Sequence, residues 1–123
     1  MASLVIFSVD VVRCAAFYEK VLGLQAKLER SADIRLTGDR EEVLIHSVPK
    51  GIAKNIKINV PPSPRENSAL KPVFDVTSLQ IALNQVRMSG GVVTDQTFTL
   101  EGLTRHDVLD PDGNVIQLRC RLE

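Results

Sequence analysis

The chain has no tryptophan, one tyrosine, four phenylalanines and only two cysteines among its 123 residues. Two cysteines make no disulfide framework. Cys14 and Cys120 each sit in an apolar pattern, which predicts small buried thiols in a reducing compartment. An excess of charge of either sign is also lacking, because fifteen basic and fifteen acidic side chains cancel. No nucleic acid or anionic membrane is therefore expected as a partner. The longest apolar start, LVIF at 4–7, is too short to span a bilayer, has no basic flank and soon meets Asp10. It predicts neither a membrane span nor a secretion signal, and the expected compartment is the cytoplasm. The absence of a glycine-rich phosphate loop, a Gly-x-Ser-x-Gly elbow and a Cys-x-x-Cys pair argues against nucleotide, hydrolase and thiol-redox chemistry.

What is present suffices for one domain with a real core: 44% of residues are apolar and 24% charged, ordinary for a globular protein. SLVIFSV (3–9) reads as a strand, and Asp10 is a good N-cap for the stretch that follows. There Val11, Ala15, Tyr18 and Leu22 fall on one helical face, with Cys14, Phe17 and Val21 alongside. Gly23 stops the helix. LQAKLER, DIRLT and EEVLIHSV read as three short strands, with a turn at Gly38–Asp39. NIKINV (55–60) reads as a further extended piece, and the Pro-rich 61–69 as a connector.

The pattern then begins again. KPVFDV (71–76) reads as a strand, Ser78 as an N-cap, and Leu79, Ala82, Leu83 and Val86 as a helical face before Gly90–Gly91. VVTDQTF, RHDVL and NVIQLRC supply three later strands. Shifted by 68 positions, the first half lies on the second without a gap: Val5 on Val73, Asp10 on Ser78, Val11 on Leu79, Ala15 on Leu83, Gly23 on Gly91. The repeated order of strand, capped helix, glycine and three strands predicts an α+β fold of two βαβββ repeats. Repeat one spans about 1–60, the connector about 61–69 and repeat two about 70–123. Asp110-Pro111-Asp112-Gly113 fits a type I turn, with proline second and glycine fourth.

The phrases AAFYEKVLGL (15–24) and DPDGNVIQLR (110–119), together with the duplicated βαβββ order, resemble the vicinal oxygen chelate superfamily. That group includes glyoxalase I, bleomycin-resistance proteins, fosfomycin-resistance enzymes, methylmalonyl-CoA epimerase and extradiol dioxygenases. The resemblance implies curved mixed sheets around a cup-shaped cleft, a small-molecule ligand and a homodimer, with the cup made within one chain or by halves exchanged between two. It also implies a divalent metal held by His, Glu or Gln from the first and last strands of each half. The first-strand position lies seven residues before the helix-starting Asp, at Ser3, and its repeat equivalent is Lys71. The last-strand position, usually Glu, falls at Gln117, and its first-half equivalent at Leu44 or Ile45. A divalent transition metal wants imidazole and carboxylate donors. Ser3 is a poor donor, Lys71 a cation, Leu44 or Ile45 no donor at all, and Gln117 one weak neutral oxygen. No cofactor is predicted from this set.

Two histidines remain as candidate catalytic groups. The period of two puts His46 on the face of Leu44 and opposite Ile45, so a shifted register aims it into the cup. His106 sits on a strand where it alternates with Asp107. Either one, with Lys71 or Glu42, is a candidate general acid–base; the plain alternative is a hydrogen-bonded strand histidine near the surface. Arg35 and Arg105 are strand arginines able to clamp a carboxylate or phosphate, or simply to sit on solvated faces. The favoured reading is a protein that binds a small molecule through residues drawn from Ser3, Arg35, His46, Lys71, Arg105 and Gln117, without the usual metal. The alternatives are a metal-dependent lyase, isomerase or dioxygenase whose shifted ligand set includes His46, and a drug-sequestering resistance protein.

Overall fold

Strand β1 (Ala2–Ser8) runs into helix α1 (Val11–Leu22), which is followed by β2 (Gln25–Leu28), β3 (Ile34–Thr37) and β4 (Glu41–Ser47). This is a computed structural model, described for residues 2–28, 33–65 and 68–121. A short helix, α2 (Lys50–Ala53), opens the connection to the second half. There β5 (Val73–Asp75), α3 (Leu79–Met88), β6 (Val92–Leu100), β7 (Leu103–Leu109) and β8 (Val115–Arg121) repeat the first order. The sheets are two open, mixed, four-stranded layers ordered β1-β4-β3-β2 and β5-β8-β7-β6. In each, the first and last strands of the half lie parallel at one side and the others are antiparallel. The chain is thus α+β, with the two βαβββ halves that its sequence repeat predicts.

Both helices begin where the sequence places their caps. The Asp10 carboxylate accepts from Arg13 N at 3.1 Å and the Ser78 hydroxyl from Ile81 N at 3.3 Å, each satisfying an amide the helix cannot. Gly23 closes α1 at φ 68°, a left-handed conformation glycine adopts without a Cβ penalty. Helix α1 packs Cys14, Ala15, Phe17, Tyr18 and Val21 inward, against Ile6, Leu36, Val43 and Ile45 of its own sheet. Helix α3 packs Ala82 and Val86 toward Phe74, Val108, Ile116 and Leu118. Contact between the halves runs through α1 against α3. Each sheet therefore has one face under a helix and one open face.

The buried acid Asp110 pins the two halves together. It accepts from the Tyr18 hydroxyl at 2.6 Å, from the amides of Asp112 and Asn114 and from the Asn114 side chain. The Gly113 N to Asp110 O bond, 3.0 Å, closes the expected DPDG turn. The connector is fastened to that turn, since Arg65 donates its N to Gly113 O and its Nε to Asp112 O.

Three expectations need correction or a boundary. NIKINV (55–60) is not a strand and has no ladder partner; α2 precedes it, and a proline follows it where an amide donor would be needed. Cys120 is only partly buried, unlike Cys14, and its thiol lies 3.6 Å from Thr77 O. Glu29 and Arg30 of the expected second strand, and Glu66 and Asn67 of the connector, lie outside the described residues.

Candidate functional site

Strand periodicity sorts the candidate residues by face. Ile6, Leu36, Val43 and Ile45 point to α1, so their neighbours Ser3, Val5, Phe7, Arg35, Glu42, Leu44 and His46 occupy the open face of the first sheet. In the second, Phe74, Val108, Ile116 and Leu118 point to α3, which leaves Val73, Arg105, Asp107, Gln117 and Arg119 on the other face. Strand register also resolves the ambiguity at Leu44 or Ile45. Val5 pairs with Leu44 and Val73 with Gln117, and Val5 and Val73 are repeat equivalents, so Leu44 stands where Gln117 stands. Ile45 is wholly buried in the core.

Gln117 lies in a polar network. Its Nε2 donates to Asp107 Oδ1 at 3.1 Å, and its Oε1 accepts from Arg105 at 3.2 Å. Lys71, two residues before β5, places Nζ 2.7 Å from Asp107 Oδ2. Asp107 and Gln117 are both buried, and Arg105 Nε is buried with no hydrogen-bond partner. Beside them Arg119 grips Asp75 through two bonds of 2.6 and 3.1 Å. Those bonds hold the Asp75 carboxyl below its ordinary range against a smaller burial effect, and raise Arg119 correspondingly. Exposed Val73, Phe98 and Leu100 flank the network with apolar surface.

The donor set fits a divalent cation poorly. Lys71 brings a positive charge into it, Leu44 offers no lone pair, and the Gln117 amide is already bonded at both ends. Ser3, beside Glu42 in the register, lies on the other sheet from Lys71 and Gln117. Among the described residues no three of His, Cys, Asp and Glu converge on one point.

On the first sheet, Arg35 pairs with Glu42. His46 Nδ1 lies 2.7 Å from Asp33 Oδ2, and the Phe7 ring meets the imidazole edge-on with centroids 5.3 Å apart. His106 is differently employed, its Nε2 lying 2.6 Å from Thr94 O. It is the hydrogen-bonded strand histidine of the plain reading. Cys14 carries no nucleophile, because burial, helped by nearby Asp110 and Asp112, pushes its thiol well above the ordinary range. The six candidate binding residues therefore form two groups: Ser3, Arg35 and His46 on one sheet, Lys71, Arg105 and Gln117 on the other.

Asp33 and Asp107 escaped the sequence reading. Asp33 precedes β3 and meets His46 only after β3 pairs with β4. Asp107 alternates with His106 in the sequence, but nothing there shows that Lys71 and Gln117 converge on it. A cavity of about 840 Å³ lies elsewhere, between the end of α1, residues 37–41 and the start of α3. It contains neither a histidine nor the Lys71 network, so the open sheet faces carry the better chemistry.

Sequence comparison finds no match among curated proteins. Solved structures share the fold. A glyoxalase/bleomycin resistance protein/dioxygenase family enzyme from Burkholderia phytofirmans PsJN superposes with TM-score 0.71 at 17% identity, over 98% of this chain and 97% of its own. A glyoxalase/bleomycin resistance protein from Albidiferax ferrireducens T118 gives 0.70 at 17%, over 98% of each chain. A genomically encoded fosfomycin resistance protein from Listeria monocytogenes gives 0.69 at 10%, over 98% of this chain and 91% of its own. The family model for the Glyoxalase/Bleomycin resistance protein/Dioxygenase superfamily matches residues 1–118. With the duplicated βαβββ order and both sequence phrases in place, the chain belongs to that superfamily.

Proposed function

We propose that the protein binds a small molecule bearing a carboxylate or phosphate on the open face of the second sheet, without a divalent metal at the superfamily's usual position. The observation that carries this reading is the Lys71 ammonium 2.7 Å from Asp107. A fixed cation, with Arg105 behind it, supplies positive charge where relatives would use a metal. Lys71 stays about half exposed while Asp107 is nearly buried, so its remaining donors are accessible to a ligand. Arg105, bonded to Gln117, adds a second positive charge to the network, and Val73 and Phe98 offer apolar contact to the rest of the molecule.

The test begins with metal content, then melting temperature with and without Zn, Ni, Mn and Fe(II). A ligand that binds only the folded state raises apparent stability by RT ln(1 + [L]/Kd). The expected result is sub-stoichiometric metal and no metal-dependent rise, but a saturable rise with short-chain carboxylates or inorganic phosphate that Lys71→Met and Arg105→Met abolish. Stoichiometric metal, or a metal-dependent rise lost in His46→Ala, overturns the reading in favour of a metal enzyme.

A homodimer belongs to the same reading. Leu28 on β2 and Leu100 on β6, edge strands of the two sheets, are exposed in the single chain, and two-fold self-association is the commonest way to cover such surface. Sedimentation velocity should give twice the monomer mass of 13.6 kDa; a monomer at all concentrations refutes it.

A further inference from the structure

We infer that His46 and Asp33 form a proton-accepting dyad on the open face of the first sheet, suited to a weak O–H or C–H acid with an apolar body. The inference stands apart from the proposed anion site, which lies on the other sheet. Asp33 Oδ2 sits 2.7 Å from His46 Nδ1. A carboxylate only accepts hydrogen bonds, so the Nδ1 atom carries the hydrogen and the lone pair of the neutral ring is on Nε2. Among the described residues Nε2 has no bonding partner, and the imidazole is 43% exposed while the Asp33 side chain is only 16% exposed. A half-accessible base oriented by a sheltered carboxylate is the arrangement that general-base catalysis requires.

The surroundings favour an uncharged acid. Asp33 is steadied by the Ser47 amide at the 3.5 Å limit of a hydrogen bond. Phe7 stands edge-on to the imidazole and is itself half exposed, as is Val5 on the same strand face, giving an apolar seat next to Nε2. Among the described residues the other charges on this face are Arg35 and Glu42, paired with each other, and Lys27, which lies beside Arg35 in the register. In the proton-transfer step the ligand's O–H or C–H bond breaks and an Nε2–H bond forms. The electron pair stays on the ligand oxygen or carbon, and the imidazolium is stabilised by Asp33. His106 is held differently: its Nε2–H donates to the Thr94 carbonyl, and among the described residues no carboxylate pairs with its ring to stabilise an imidazolium.

The probe is 4-nitrophenol, an aromatic weak acid whose anion absorbs visibly, at a pH where the free probe is mostly protonated. The expected result is a saturable rise in phenolate absorbance on adding protein. His46→Gln removes it, Asp33→Asn weakens it severalfold, and His106→Gln leaves it unchanged. Nitrogen-15 NMR of the free protein should show the proton of neutral His46 on Nδ1, with that preference lost in Asp33→Asn. No saturable rise with the wild-type protein, a rise that survives His46→Gln, or a His46 proton on Nε2 each overturns the inference. Circular dichroism of the variants separates loss of the dyad from loss of fold.

Discussion

At the scale of single residues, the acids decide most. The Asp110 carboxylate receives four hydrogen bonds, one of them from Tyr18 92 positions away. A buried hydrogen bond to a charged group contributes about 1.5–3 kcal/mol, so Tyr18→Phe should lower unfolding free energy by about that much in urea titration. Asp112 differs. Burial raises its carboxyl above the ordinary value, opposed by a Ser8 hydrogen bond, and its Oδ2 has no partner. A raised carboxyl means that the folded state holds the proton more tightly than the unfolded chain. Its stabilising effect is therefore greatest in acid and is lost as pH rises through the folded value. Asp112→Asn should gain stability at neutral pH relative to wild type, and the gain should shrink toward pH 4; urea midpoints across that range check it. The sequence singled out Gln117 but not what it does. Its importance depends on Asp107 and Arg105, which only the β7–β8 register brings beside it.

At the scale of elements, repeat-equivalent positions have diverged in physical role. Gly23 and Gly91 superpose in sequence, yet Gly23 is required by φ 68° with open space around it, whereas a Cβ on Gly91 would lie 2.5 Å from Leu109 O and 2.6 Å from Phe17. Left-handed backbone costs a residue with a Cβ about 1–2 kcal/mol. Steric overlap with a backbone carbonyl and a buried ring has no such cheap relief. Gly91→Ala should therefore destabilise by about 3 kcal/mol or more and Gly23→Ala by about 1, ranked by thermal melts. Capped helices and alternating strands were legible because their signals are local: Asp10, Ser78 and the inward faces of α1 and α3 lie where periodicity puts them. NIKINV failed because alternation is necessary for a strand but not sufficient. Ile56 and Ile58 alternate correctly, yet an extended segment becomes a strand only where it lies along a sheet edge and pairs with it, and 55–60 does not.

At the scale of the molecule, the duplication predicts two similar halves but not how firmly they are joined. Phe17 packs against Gly91, Tyr18 meets Phe74 ring to ring at 6.2 Å, and the Tyr18 hydroxyl reaches Asp110. These contacts tie α1 into the second half's core and imply that the halves unfold together. The chain supplies its own reporter, because Tyr18 is its one tyrosine and tryptophan is absent. Ring absorbance and fluorescence therefore read the seam between the halves, while far-ultraviolet circular dichroism reads both sheets. Burial, reinforced by Asp110, holds the Tyr18 hydroxyl well above its ordinary value of 10.0. The folded state thus keeps a proton that the unfolded chain loses near that pH, so stability falls as pH rises above about 10. Tyrosinate absorbance should accordingly appear in one step, at the pH where circular dichroism collapses and not before it. An early, gradual tyrosinate signal with both sheets intact would mean that the seam opens independently, and that the halves are joined more by the connector than by a common core.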